Sequence, residues 1–392
     1  MSTDGAGTRV SLARGGSLVA PALTLVNVMA YAVTVVGAHQ LSKDDYGALV
    51  ALLGVLLVAC VPAIALQVVV AKSVRTAEPA ALLRRGLVLG IAATLVGAVL
   101  SPVVAAFLHS GVLGPLLVAA QLAPFAVLSS AMGVLQGAER FAALSVVICL
   151  QAFARGVGVV PLLLGGGTND VLLALTLGVL VSAAVSLMLV GRPATGPSFP
   201  VIDVAHATSG LLALLVLANL DVLLARNVLS GDQSGRYAVG AVLSKVAFWL
   251  PQAVAVVVFP RLSDPVEGRA LLRRSLLLVG ALGGLEVVGC VVLAKPVLEI
   301  TFGRQYGSLS PYAWLWVVQG AALSLVQLLV YRAIAVHDRV TGVLIGVAAA
   351  VETATVLLWR PERPSAVIAL ATSLAVATTV VLLVRSAATQ PT

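Results

Sequence analysis

Apolar runs long enough to cross a membrane follow one another along almost the whole chain. Hydrophobic residues make up 60% of the 392 residues and charged residues 10%, and the mean hydropathy is +1.09. Soluble domains carry about 25% charged residues and alternate apolar with polar faces. The sequence therefore predicts an all-α polytopic membrane protein. The expected spans are 17–39, 46–71, 86–108, 112–136, 141–164, 171–190, 208–229, 236–259, 275–294, 312–335, 340–358 and 365–384.

The longest connection between spans falls at the middle of the chain and is rich in Pro and Gly. We therefore predict two six-helix halves, 17–190 and 208–384. A cytoplasmic tail 1–16, a cytoplasmic linker 191–207 and a cytoplasmic tail 385–392 flank them. The first apolar segment lacks a clear cleavage site, which favours a retained span over a signal peptide. Inner loops receive about twice as many Lys and Arg residues as outer loops when both termini are placed in the cytoplasm.

The two halves resemble each other. The segment from Leu41, "LSKDDYGALVALLGVLLVACVP", shares its plan with the segment from Leu229, "LSGDQSGRYAVGAVLSKVAFWLP". In each, Leu-Ser opens an external loop, a Tyr begins the next span, a Pro interrupts that span, and Ala-Leu-Leu-Arg-Arg follows. An even number of spans per half gives both halves one orientation, with a pseudo-twofold axis along the membrane normal. A substrate site is expected between such halves, near the membrane midplane.

Five ionisable side chains lie near the centres of predicted spans: Arg155, Asp221, Lys245, Glu286 and Glu352. A charge at this depth costs about 2.5 to 3.5 kcal/mol on insertion scales, so each is a functional candidate. The alternative is a structural ion pair, above all between Asp221 and Lys245 on consecutive helices. Helical spacing adds polar neighbours at Gln151, one turn from Arg155, and at Gln252, on the face of Lys245.

Polar stripes mark two of the helices. The stripe in the first span consists of Thr24, Asn27, Tyr31 and Thr34, and the stripe in the tenth of Ser324, Gln327 and Tyr331. Such residues either join helices by hydrogen bonds or line a water-filled cavity. Among them we take Asn27 and Tyr31 as candidate cavity residues. Prolines inside the spans can kink helices, either as static bends or as part of a moving gate.

Other chemistry finds little support in the sequence. The cysteines lie far apart inside apolar runs, so we predict small buried hydrophobes and no disulfide or metal site. The four histidines lie at span ends, without ligand spacing. No nucleotide-binding loop is present, and the basic residues form no nucleic-acid patch. We predict neither an enzyme nor a bound cofactor.

Three segments carry a family resemblance. They are 41–72, "GVLQGAERFAALSVV" from Gly133, and "NLDVLLARNVLSGDQSGRYAVGAVLSKVAFWLPQAVAVVVFPRLSD" from Asn219. They resemble the polysaccharide flippases of the superfamily of multidrug, oligosaccharidyl-lipid and polysaccharide exporters (MOP). The resemblance implies a central cavity that opens alternately to each side of a bacterial cytoplasmic membrane and moves an undecaprenyl-pyrophosphate-linked oligosaccharide outward. It also implies that Arg155 and Lys245 are the candidates to hold the pyrophosphate. We add Asp221 to the candidate substrate-binding residues, and we expect a polysaccharide polymerase or glycosyltransferases as partners.

The chain departs from the relatives that move the peptidoglycan precursor. Those proteins carry several cavity arginines in their first spans and two additional C-terminal spans, which this chain lacks. A second hypothesis is a cation-coupled exporter of small molecules, in which Asp221, Glu286 and Glu352 relay protons or Na⁺. A third is a non-transporting membrane partner of a glycan assembly complex. A cavity dominated by Arg and Lys favours the flippase, and a carboxylate cluster without basic partners favours the exporter.

Overall fold

A computed structural model describes residues 4–74, 77–191, 199–249, 268–335, 338 and 340–388. Within these ranges the secondary structure is helical, with no strand. The helices are α1 (Asp4–Gln40), α2 (Lys43–Ala59), α3 (Val61–Ser73), α4 (Pro79–Phe107), α5 (Leu113–Ala120), α6 (Leu122–Gly137), α7 (Phe141–Gly156), α8 (Val159–Leu163), α9 (Thr168–Val190), α10 (Val201–Val228), α11 (Gly231–Trp249), α12 (Gly268–Phe302), α13 (Ala313–Ala335), α14 (Val340–Trp359) and α15 (Pro364–Ala388). A 3₁₀ segment, Arg304–Tyr312, precedes α13.

The predicted class is confirmed. Ten helical stretches among the described residues are long and apolar enough to cross a membrane, and each overlaps a predicted span. Helices α10 and α11 lie where the seventh and eighth spans are predicted. The eighth span continues past Trp249 into residues outside the described ranges, and Pro251 and Gln252 fall there.

Proline explains why several spans consist of two helices. Pro62, Pro124 and Pro161 each lie in the first turn or two of a helix that follows an interruption. Because proline has no N–H and its ring clashes with the preceding turn, the helix ends just before it and restarts around it. Pro21 and Pro102, in contrast, lie inside the uninterrupted helices α1 and α4. The sequence alone did not distinguish these two outcomes.

The chain forms two compact units. One comprises Met1–Leu41 and Ala59–Thr208, and the other Ser42–Val58 and Ser209–Thr392. The interruption at Cys60 coincides with a change of unit, since α2 packs in the second unit and α3 in the first. The predicted halves, 17–190 and 208–384, follow the order of the spans along the chain and remain a prediction.

The internal packing of each unit supports the sequence repeat. In the four spans from Pro79 to Val190 the buried share is 11, 78, 33 and 44%, and in the four spans from Ala270 to Ser386 it is 11, 72, 28 and 44%. A threonine hydroxyl in the last span of each series also donates to a carbonyl in the second span of that series. These bonds run from Thr176 to Leu117 at 3.2 Å and from Thr372 to Leu315 at 3.0 Å.

Close helix contacts depend on glycine in both units. In the first unit, a Cβ at Gly133 would lie 2.6 Å from the carbonyl oxygen of Gln67, and one at Gly137 would clash with the carbonyl of Ala71. The segment "GVLQG" therefore forms a tight crossing between α6 and α3. In the second unit, a Cβ at Gly240 of α11 would overlap the indole of Trp316 of α13.

Candidate functional site

Asp221 is the centre of a buried polar cluster in the second unit. It lies on α10 and is 3% exposed. The Tyr237 hydroxyl on α11 donates to Asp221 Oδ2 at 2.7 Å. The Gln319 side chain on α13 also hydrogen-bonds the carboxylate, and since Gln319 Oε1 has no partner among the described residues, the amide nitrogen is the donor. Two neutral donors from two helices thus satisfy this carboxylate.

Aromatic packing holds Tyr237 in position. Its ring meets that of Trp316 edge to face, with centroids 5.5 Å apart and an interplanar angle of 70°. Both side chains are completely buried. Trp316 can approach this closely because Gly240, one turn along α11 from Tyr237, presents no side chain. The hydroxyl of Tyr237 therefore has little freedom to leave Asp221.

Glu352 joins this cluster from α14. Its side chain is 1% exposed, and it interacts electrostatically with both Asp221 and Tyr237. Its Oε1 has no hydrogen-bond partner among the residues that the structure describes. The structure thus brings together Asp221 and Glu352, two of the three carboxylates predicted to act in ion coupling.

Lys245 lies two turns after Tyr237 on α11. Asp221 is its electrostatic neighbour, yet within the described ranges no ion pair of 4.0 Å or less joins the two. Unlike Asp221, Lys245 keeps part of its surface accessible. The geometry therefore differs from the structural ion pair that the sequence left open, because Asp221 is bonded to Tyr237 and Gln319 instead.

Glu286 lies apart from this cluster in its interactions. It is half-buried on α12, and both carboxylate oxygens lack a hydrogen-bond partner in the described part of the chain. One turn earlier, Gly283 packs on Ala321 of α13. Within the same residues, no interaction links Glu286 with Asp221, Lys245 or Glu352.

Arg155 is the deep cation of the first unit. It lies at the end of α7, half-buried, and interacts electrostatically with Cys60 at the interruption between α2 and α3. No carboxylate pairs with it among the described residues. Gln151, one turn earlier on α7, is also half-buried.

The polar stripe of α1 lies off the packed face of that helix. Ala22, Val26 and Val33 of α1 are buried, whereas Asn27 is exposed and Tyr31 half-buried. Gln252, the remaining predicted site residue, lies outside the described ranges.

Sequence reasoning missed the partners of Asp221. Tyr237, Ala241 and Lys245 follow one another at intervals of four residues on α11. Extending the search from Lys245 back through Ala241 by one more turn would therefore have found Tyr237. Gln319 carries no comparable signal, because its contact with Asp221 joins helices far apart in the chain.

Ion pairs at the start of α2 and α11 join the two repeated turns within the second unit. Lys43 Nζ lies 2.7 Å from Asp232 Oδ1, and Arg236 Nε lies 2.9 Å from Asp232 Oδ2. Both lower the pKa of Asp232, Lys43 most strongly. The buried Arg226 pairs with Asp44 at 2.5 Å. These basic residues are therefore occupied, in contrast to Lys245 and Arg155.

Comparison with known proteins finds likeness in structure alone. No family model and no curated protein matches the sequence, whereas several solved structures match over nearly the whole chain. The lipid II flippase MurJ in an inward closed conformation has a TM-score of 0.70 at 12% identity, over 95% of this chain and 88% of that one. The eukaryotic MATE transporter AtDTX14 has a TM-score of 0.65 at 12% identity, over 97 and 96%. The Vibrio cholerae MATE transporter VcmN in its bent form has a TM-score of 0.60 at 14% identity, over 96% of each.

These identities are too low to transfer a substrate, whereas the TM-scores over nearly the whole chain establish the fold. The chain is a multi-pass α-helical membrane protein with the fold shared by MATE transporters and MurJ.

Proposed function

We propose that this protein is a membrane transporter that flips an undecaprenyl-pyrophosphate-linked oligosaccharide from the inner to the outer leaflet by alternating access. It would do so in a bacterial cytoplasmic membrane, with both termini in the cytoplasm. Polysaccharide polymerases or glycosyltransferases would supply or consume the substrate. The fold supports transport in general, and one solved structure of this fold is a lipid II flippase.

The observation that carries the proposal is the state of the two deep cations. Neither Arg155 nor Lys245 has an ion-pair partner among the described residues, although both lie within predicted membrane spans. An unpaired cation in an apolar bundle is costly, so its presence there suggests an anionic ligand. A diphosphate suits both side chains, since guanidinium binds it in a bidentate manner and ammonium binds it as a point charge.

The second candidate function is a cation-coupled exporter of small molecules. The proximity of Asp221 and Glu352 favours it, because two buried carboxylates can exchange a proton or hold a cation. The same pair can serve the flippase as its coupling site. The two functions differ in what Lys245 and Arg155 bind and in which substrate accumulates when the protein is missing.

Depletion of the protein in its host tests the proposal. We expect undecaprenyl-linked oligosaccharide to accumulate on the inner leaflet, measured by extraction and mass spectrometry of the lipid-linked pool. Lys245→Ala should insert normally but fail to return the accumulated lipid-linked pool to its normal level. Lys295→Ala, which removes an exposed lysine of α12, should return the pool to that level. An unchanged lipid-linked pool after depletion would contradict the flippase. Lost resistance to a toxic cation with that pool unchanged would favour the exporter.

A further inference from the structure

Asp221 and Lys245, both among the described residues, carry opposite charges inside the second unit but do not form an ion pair. They interact electrostatically, but the carboxylate is bonded by Tyr237 and Gln319. In a poorly solvated interior, opposite charges attract strongly and unpaired charges are penalised. A carboxylate that interacts with an ammonium and has no other partner would therefore be expected to pair with it. Something must hold the two groups apart.

The structure provides that restraint in two layers. Tyr237 donates to Asp221 at 2.7 Å, within the usual range for a strong O–H···O⁻ bond. Tyr237 is in turn fixed by the edge-to-face contact with Trp316, which the missing side chain of Gly240 allows. Gln319 adds a second donor from α13. The carboxylate thus has hydrogen bonds that it would have to break before it could reach Lys245.

We infer that Tyr237 and Gln319 are positioning residues that withhold the Asp221 carboxylate from Lys245 and so keep the ammonium available to an anionic ligand. Asp221 still attracts the ammonium from a distance and lowers the cost of keeping a cation inside the bundle. It does not neutralise that cation by direct contact. The identity of the ligand as a diphosphate rests on the proposed function, whereas the withholding of Asp221 does not.

The first experiment measures the availability of Lys245 without any substrate. Purified full-length protein is treated with acetic anhydride, and acetylation of Lys245 is followed by peptide mass spectrometry, with the exposed Lys72 as internal reference. Tyr237→Phe frees Asp221 to pair with Lys245, so acetylation should slow about fivefold or more, as expected for a new charge-assisted bond. Tyr237→Phe/Asp221→Asn should restore the rate, because the amide cannot form an ion pair.

A matched control separates this role from simple packing. Tyr312 also packs on Trp316, with ring centroids 6.5 Å apart. Tyr312→Phe therefore removes a hydroxyl from another tyrosine that packs on the same indole. It should leave the acetylation of Lys245 unchanged. An unchanged rate in Tyr237→Phe would overturn the inference, and so would a double variant that stays as slow as Tyr237→Phe.

The second experiment links the inference to the ligand. Binding of geranyl pyrophosphate to the same purified variants is measured by quenching of tryptophan fluorescence. We expect weaker binding in Tyr237→Phe and recovery in Tyr237→Phe/Asp221→Asn. If Lys245→Ala binds this probe as well as the wild type, Lys245 is not the diphosphate site and the proposed function loses its support. The acetylation result would still decide the positioning role.

Discussion

At the scale of single residues, Asp338 has four hydrogen-bond contacts outside the spans. Both of its oxygens accept hydrogen bonds from Arg385 at the end of α15, and it also accepts from the Thr341 hydroxyl and the Val340 amide at the start of α14. The Arg385 hydrogen bond, the largest cause, lowers the pKa of Asp338 to about 2. One carboxylate thus caps α14 and ties it to α15.

This arrangement predicts a pH-dependent stability. Because the pKa of Asp338 is lower in the folded protein than in the unfolded chain, its contribution is fully present above about pH 4 and is lost as the pH falls towards 2. Solvent screening at a helix end limits the contribution to about 1 kcal/mol. Asp338→Asn should lower the thermal unfolding midpoint of the detergent-solubilised protein at pH 7, and the difference from wild type should shrink below pH 4.

The control for Asp338 is an acidic residue at another helix start. Glu362 is exposed just before α15, so Glu362→Gln should leave the unfolding midpoint within about 1 °C of wild type at both pH values. Equal midpoints for Asp338→Asn and wild type at pH 7 would contradict the assigned role.

The charges of the candidate site were predictable from the sequence, but their partners were not. Asp221 and Lys245 stand out because an ionisable residue inside an apolar run is visible in one dimension. The bonds from Tyr237 and Gln319 depend on which faces of α10, α11 and α13 meet, and side-chain packing decides that. For this reason the sequence left the ion pair open, and the structure shows Asp221 bonded elsewhere.

At the scale of elements, the tight crossing of α3 and α6 predicts that glycine cannot be replaced by alanine at Gly133 without a loss of stability. Alanine is favoured over glycine inside a helix by about 1 kcal/mol, so Gly→Ala should stabilise wherever space allows. At Gly133 a Cβ would lie 2.6 Å from a backbone oxygen and 2.9 Å from Val70. Gly133→Ala should therefore lower the thermal unfolding midpoint, at a cost of about 1 to 3 kcal/mol for overpacking.

Gly346, an exposed glycine inside another helix, provides the opposite case. It lies inside α14 with nothing within 4 Å of an added Cβ, so Gly346→Ala should leave the midpoint unchanged or raise it. The pair of variants separates crowding from helix propensity. A midpoint for Gly133→Ala at or above that of Gly346→Ala would show that α3 and α6 do not pack this tightly.

At the scale of the whole molecule, hydropathy alone was enough to predict the class and the order of the spans. That succeeds because each span must satisfy its own backbone hydrogen bonds and present apolar side chains over about 20 residues. The same signal could not assign α2 to the second compact unit and α3 to the first. Both pieces of that span are equally apolar, and only their packing distinguishes them.

The proposed orientation of the molecule in the membrane rests on the distribution of basic residues and can be tested directly. After replacement of Cys60, Cys149 and Cys290 by alanine, single cysteines are introduced at two exposed positions outside the predicted spans. With both termini in the cytoplasm, Gln305→Cys lies outside and should react with a membrane-impermeant maleimide in intact cells. Glu78→Cys lies inside and should react only after permeabilisation, because Lys and Arg near it favour the cytoplasmic face. The reverse pattern would place the termini outside, so that the proposed ligand would reach Lys245 from the opposite leaflet.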